Sequence, residues 1–166
     1  GNGAGWVEDA NWTIPVYFTN VYSSQARDGG ARIGDVNGDG LPDIVVSYIN
    51  SGSSHYEDVY VNRGDRWVLD SSLSFPEPFV SCPDCSSTGI DYGTHLIDIN
   101  SDGLDDVVRG FESTTYGNVN KAYINTGSGW VYKSNWSVPT FIDHDATIKD
   151  QGFRLVDINS DGLVDI

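Results

Sequence analysis

Asp35, Asn37, Asp39 and Asp43 are spaced closely along one short stretch, and the same four residue types recur as Asp98, Asn100, Asp102, Asp106 and as Asp157, Asn159, Asp161, Asp165. Side-chain oxygens at alternate positions of a tight loop converge on one point. The glycine after the third of them (Gly40, Gly103, Gly162) allows a sharp turn, and the main-chain carbonyl of Leu41, Leu104 or Leu163 falls at the seventh position. Such an all-oxygen set is what Ca2+ takes with its roughly six to eight ligands, whereas Mg2+ holds to near-octahedral geometry and keeps several waters. Zinc and other borderline metals want Cys or His, which these loops lack. The expectation is three Ca2+ sites, one per loop.

An EF-hand opens with the same letters but closes on a bidentate Glu at its twelfth position. Val46 and Arg109 stand there in the first two loops, and the flanks read as β-branched strands rather than helices, so an EF-hand is excluded. The charge is consistent with cation loops. The chain has 166 residues with 9 Lys+Arg against 24 Asp+Glu, a net charge of −15. Nine of the acids are the loop aspartates; without them 15 acids face 9 bases, a net of −6 that is ordinary for a soluble domain. Three carboxylates within a few ångströms repel strongly unless a counter-ion sits among them.

The elements that position these loops come from an internal repeat, the first feature to seek in a sequence. Residues 28–44, 91–107 and 150–166 align without a gap as D-x-G-x-[RH]-[IL]-x-D-[VI]-N-x-D-G-L-x-D-[IV], with first aspartates 63 and 59 residues apart. Between them recur Trp6-Val7, Trp67-Val68 and Trp130-Val131, and then Pro15 with Phe18, Pro76 with Phe79 and Pro139 with Phe141. The runs from Asp43 to Tyr48 and from Asp106 to Phe111 are rich in β-branched residues and read as strands. Val59–Asn62 and Trp67–Leu69 flank a Gly-containing turn, as do Ala122–Asn125 and Trp130–Tyr132, so each pair reads as a hairpin. No window holds a sustained helical period. The fold class expected is all-β: tandem repeats of about 61 residues, propeller-blade-like, as an open array or a fragment of a larger propeller. Repeat 1 is placed at 1–62, repeat 2 at 63–125 and a partial repeat 3 at 126–166. The chain stops where a strand after the third loop is due, so a longer array or a neighbouring copy is expected to supply it.

Composition narrows the function. With 39% hydrophobic residues, 9 Tyr, 6 Phe and 5 Trp against 20% charged, the chain is not of the disordered class. No apolar run approaches the ~20 residues of a membrane span. The acidic balance excludes nucleic acid as a partner, because phosphate contacts need clustered Lys and Arg.

The signature GGARIGDVNGDGLPDIVVS, with its two echoes, resembles the FG-GAP and VCBS-like calcium-binding repeats found in integrin α-subunit propellers and in large secreted or surface bacterial proteins. The resemblance covers two full periods and a partial third. It implies that the four side chains and the seventh-position carbonyl of each loop bind Ca2+ between adjacent strands. The Phe-Gly element is replaced here by Gly29-Gly30, Tyr92-Gly93 and Gln151-Gly152, and no Gly-Ala-Pro follows the strand.

Asn11-Trp-Thr13 and Asn135-Trp-Ser137 are glycosylation sequons at matching places in repeats 1 and 3, occupied only if the chain passes through a glycosylating pathway. Cys82-Pro-Asp-Cys85 lacks the βαβ context of a redox motif and the further ligands of a zinc site; a local disulfide is the preferred reading, and it fits an oxidising, calcium-rich exterior. Arg63-Gly64-Asp65 fills a hairpin turn, which accounts for it without an adhesion role. Arg32, His95 and Arg154 each precede a loop by three residues and are expected to pair with Asp28, Asp91 or Asp150. His55, His95 and His144 occupy unrelated repeat positions, and Glu8, Glu57 and Glu77 show no partner pattern, so no active site is expected.

The function expected is an extracellular, calcium-stabilised structural or adhesive module, part of a longer surface protein, stalk or filament that meets neighbouring repeats or copies of itself end to end. The alternatives are a ligand- or glycan-binding propeller fragment contacting glycans or surface proteins, and the propeller portion of a larger secreted toxin.

Overall fold

The computed structural model describes residues 8–10, 12–22, 24–81, 90–115, 117–144, 149–150 and 152–165. Among them it is all-β, with thirteen strands and no helix. In chain order these are β1 Thr19–Tyr22, β2 Gln25–Asp28, β3 Ala31–Gly34, β4 Asp43–Ile49, β5 His55–Asn62, β6 Trp67–Leu69, β7 Val80–Ser81, β8 Thr94–Ile97, β9 Asp106–Glu112, β10 Val119–Asn125, β11 Trp130–Tyr132, β12 Asp143–His144 and β13 Lys149–Asp150.

Two antiparallel meanders of four strands carry the fold, β3-β4-β5-β6 and β8-β9-β10-β11. Each has the form of a propeller blade, and the described strands do not close into a barrel. β4 and β9 are buried along most of their length, which is why their sequences run apolar without alternation. The outer strands β6 and β11 are three residues long, with Val68, Leu69, Val131 and Tyr132 exposed, and such short edges give little purchase to foreign strands. The short strands β7 and β12 add in parallel to the ends of β4 and β9. The first meander runs from Ala31 to Leu69, and the β5–β6 hairpin spans the step from Asn62 to Arg63.

The sheets pack face to face. Val36, Val45, Val59, Val61, Phe75, Phe79 and Val80 of the first unit meet Val107, Leu96, Tyr123 and Trp130 of the second. Phe75 and Phe79 stack at 4.9 Å and are fully buried, each contributing roughly 1.5–3 kcal/mol of transfer free energy. On the far face of the second sheet, Val108 and Ala122 pack on Val138, Ile142, Phe153 and Leu155 of the third repeat. On the outer face of the first, Ala31, Ile44 and Val46 are covered by Val16 and Phe18.

The Pro-then-aromatic marker shifts by one residue in the third repeat. The Phe79 amide donates to Ser47 O at 3.1 Å, and the amide doing the same to Gly110 O at 2.8 Å is that of Ile142, not of Phe141. A Cβ at Gly110 would lie 2.8 Å from Val138 Cγ2, so the segment lies directly against the strand.

Candidate metal centres

The three acidic loops share one frame. Two of them join the first pair of strands in each sheet, β3 to β4 and β8 to β9; the third runs between the paired residues Val156 and Asp165. In the first, Asp35 accepts the amides of Gly38 at 2.7 Å and Gly40 at 2.8 Å. Asn37 Oδ1 accepts the Asp39 amide at 2.9 Å, and Asp39 Oδ1 accepts that of Leu41 at 2.9 Å. In the second, Asp98 accepts from Asp102 at 3.2 Å and Gly103 at 2.8 Å, Asn100 from Asp102 at 2.8 Å, and Asp102 from Leu104 at 2.9 Å. In the third, Asp157 accepts from Asp161 at 3.2 Å and Gly162 at 2.9 Å, Asn159 from Asp161 at 2.8 Å, and Asp161 from Leu163 at 2.8 Å.

The turn demands left-handed backbone at its fourth and sixth positions. Gly38, Ser101 and Ser160 hold the fourth at φ of 77°, 62° and 63°, and Gly40, Gly103 and Gly162 hold the sixth at 80°, 87° and 84°. A Cβ at the sixth position would meet nothing within 4 Å, so conformation rather than space requires glycine there.

The ninth-position aspartates differ from the rest because they are buried. Asp43 Oδ2 accepts the Val36 amide at 3.0 Å and Oδ1 that of Asn62 at 2.7 Å; Asp106 accepts those of Ile99 at 3.2 Å and Asn125 at 2.7 Å. Both are 0% exposed. Burial raises both carboxyls, that of Asp106 to about 6, and the charges of Asp39 and Asp35, or of Asp102 and Asp98, push the same way. Asp165 accepts from Ile158 at 3.0 Å and is half-buried.

Two pairs of residues outside the motif fix these loops. The Asn62 side chain donates to Pro42 O at 3.1 Å and that of Asn125 to Asp105 O at 3.1 Å, while Trp67 and Trp130 donate their indole N–H to the same two carbonyls at 3.2 and 3.1 Å. The recurring Trp thus clamps the loop exit. Sequence reasoning took it as a marker only and missed the asparagines, although Asn62-x-Gly64 and Asn125-x-Gly127 recur before both hairpin turns.

The chemistry of the donor set fits a hard divalent cation. Every ligand position offers oxygen, and an oxygen that accepts one amide keeps a second lone pair. Among the described residues no three His, Cys, Asp or Glu side chains gather into a metal-holding group; the loop carboxylates accept main-chain amides, those of Asp43 and Asp106 including the amides of Asn62 and Asn125 beyond the loops.

Arg32 pairs with Asp28 through two contacts of 2.7 and 3.0 Å, as expected. Arg154 donates to Phe153 O at 2.6 Å, and Asp91 Oδ1 accepts the Gly93 amide at 2.9 Å. Arg63-Gly64-Asp65 forms a turn in which Asn62 Oδ1 accepts the Gly64 amide at 2.8 Å. Asn135 is exposed in a turn. Asn11, Cys82 and Cys85 lie outside the described residues. Glu77 and Glu57, without a partner pattern in sequence, both have partners in space: Glu57 accepts from Ser74 at 2.8 Å and from the Phe75 amide at 2.5 Å, and Glu77 from Arg109 at 2.5 Å, Lys121 at 2.7 Å and Tyr123 at 2.5 Å.

Sheets of this form carrying such loops define an all-β protein of propeller-blade-like repeats. Residues 35–108, from the first acid of the first loop into β9, match the family model of the FG-GAP-like repeat, which supports the FG-GAP family. The chain is also similar to the T-cell immunomodulatory protein homolog of Plasmodium yoelii yoelii, 25% identical over 166 residues. That alignment takes in 96% of this chain and 21% of the relative, so the chain spans about a fifth of the relative's length. No solved structure matches.

Proposed function

We propose that the chain is an extracellular, calcium-stabilised structural or adhesive repeat module within a longer surface protein, stalk or filament. The observation that carries this reading is the recurrence of one oxygen-lined loop frame three times in register. Asp35, Asn37, Asp39, Asp43 and the Leu41 carbonyl would hold the ion in the first loop, and their counterparts would do so in the others. A bound ion supplies two positive charges among three carboxylates. The chain's own contribution is the turn, held by its glycines, and the buried ninth carboxylate, which ties the loop to the strand ending at Asn62 or Asn125. The match to about a fifth of a longer relative supports a module rather than a whole protein.

Ser47 Oγ lies 2.7 Å from His55 Nε2. Ser47 is fully buried and donates its hydroxyl to Glu77 O at 2.9 Å, so it offers no nucleophile.

The test is a calorimetric calcium titration of EDTA-stripped protein together with thermal melts. With Kd of roughly 10⁻⁴–10⁻³ M per site, ~1 mM Ca2+ stabilises by about 0.4–1.4 kcal/mol per loop, or on the order of 1–4 kcal/mol in all. A rise of several degrees in Tm is expected. Absence of binding heat, with identical melts in EDTA and calcium, refutes the reading.

Ligand binding is the second reading. Tyr48 and Tyr56 stack at 4.8 Å with Tyr56 41% exposed, and a groove of about 460 Å³ lies between β8 and residues 153–155. Hits on a glycan array that Tyr56→Ala abolishes would favour it.

A further inference from the structure

The first two acidic loops lie 63 residues apart in sequence but touch directly, and most of the contact passes through Asp105. Its amide donates to Asp35 O at 2.7 Å, and its carboxylate Oδ2 accepts the Asp35 amide at 2.8 Å, a reciprocal clamp on the first ligand position of the neighbouring loop. The clamp sets the residue at Gly34, where a Cβ would fall 2.3 Å from Asp105 Oδ2. Two further contacts run alongside. Asn125, whose amide holds Asp106, also donates its side chain to Val36 O at 2.8 Å. A Cβ on Gly38, at the fourth position of loop 1, would lie 3.0 Å from Leu104 Cδ2, at the seventh position of loop 2. The first, second and fourth positions of loop 1 therefore rest on the seventh and eighth positions of loop 2 and on the residue that holds its ninth. The half-buried Asp105 side chain places a carboxyl near Asp35 on one side and Asp98 on the other. Pro42 and Val164 fill the same place in the other loops and carry none.

We infer that Asp105 is a positioning residue that couples the first two loops, so that a cation bound in either one strengthens binding in the other. The inference rests on the calcium reading above. Two effects act in the same direction. An ion in loop 1 orders Asp35, whose main chain is one half of the clamp, and an ion in loop 2 orders Leu104 to Asp106, the other half. A carboxylate placed between two loops is repelled by their acids while both are empty and attracted once either is filled. The third loop touches the second through the Ser101 hydroxyl, which donates to Gly162 O, and no charge at Val164 links them.

The experiment is a calorimetric CaCl2 titration of the full chain carrying Asp161→Asn, which leaves loops 1 and 2. Adding Asp39→Asn should weaken loop 2, and adding Asp102→Asn should weaken loop 1, by the same factor, on the order of tenfold, since coupling free energy is reciprocal. With Asp105→Asn the factor should shrink severalfold, to what the main-chain half of the clamp alone carries. Gly34→Ala, which displaces the carboxylate and leaves every acid in place, should shrink it too. Tm in EDTA should not fall in Asp105→Asn, because a repelled charge leaves with the substitution. Loops that bind independently in the parent overturn the inference, as does an Asp105→Asn chain that melts lower in EDTA yet keeps the coupling in full. If the parent with all three loops intact binds no calcium, the calcium reading falls and this inference with it.

Discussion

Asp106 is fully buried, and two amides satisfy its oxygens, yet the carboxyl is lifted from 3.8 to about 6. Burial outweighs the amides, and Asp102 and Asp98 add to it. Between those two values the folded chain keeps a proton that the unfolded chain has released, so stability without calcium falls as pH rises through that window. Ionising the group near pH 7 costs on the order of 2–3 kcal/mol. Asp43 and Asp105 are raised as well and act in the same direction. In EDTA the protein should therefore melt higher at pH 5 than at pH 7, and Asp106→Asn should flatten that slope. A slope untouched by the substitution would assign the effect to other carboxyls. The asparagines differ from each other in a measurable way. The Asn125 residue is 1% exposed and its side chain donates to both Val36 O and Asp105 O, whereas the Asn62 side chain donates to Pro42 O. In urea unfolding, Asn125→Ala should cost roughly 1–3 kcal/mol, and more than Asn62→Ala, since it takes the side-chain donor from Val36 O, whereas Asp105 O and Pro42 O keep the indoles of Trp130 and Trp67.

At the scale of the strands and loops, what the sequence discloses follows from the range of the contacts involved. The acidic loops are legible because each ligand, glycine and amide partner falls within nine consecutive residues. β4, β9 and the two hairpins are legible from β-branched runs and turn residues, although β5 and β10 begin earlier than those runs, at His55 and Val119. Asp105 on Asp35, at a separation of 70, and Asn125 on Val36, at 89, are not, since nothing local marks a partner that far along the chain. Glu77 shows the same limit. Burial would raise its carboxyl, but Lys121, Tyr123 and Arg109 outweigh that and hold it below its ordinary value. These partners lie 32 to 46 residues on, in the facing sheet. Removing Glu77 leaves the 8%-exposed Arg109 without its carboxylate, so Glu77→Ala should cost about 3–5 kcal/mol. Replacing the pair together, as Glu77→Gln with Arg109→Met, should recover much of that loss, because the buried charge goes with its partner. Chemical denaturation of the two variants gives the comparison.

For the whole molecule the decisive quantity is the net charge of −15, more than half of which comes from the nine loop aspartates. The neighbouring loops touch, so their charges lie within the ~8–10 Å over which physiological salt leaves repulsion unscreened. Two kinds of stabilisation by cations can be separated on this basis. Monovalent salt shortens the screening length everywhere and should raise Tm most where repulsion is greatest, that is, in EDTA. Calcium seated in the loops removes the repulsion at its source, so the calcium-loaded chain should gain little from added NaCl. The expected result is a steep rise of Tm with NaCl between about 50 and 500 mM in EDTA and a shallow one in millimolar Ca2+, with Mg2+ between the two because it gives up its waters reluctantly. Melting curves at fixed pH across that series make the test. Equal slopes in EDTA and calcium would mean that the ions only screen the surface, and the loops would then not be what holds the blades together.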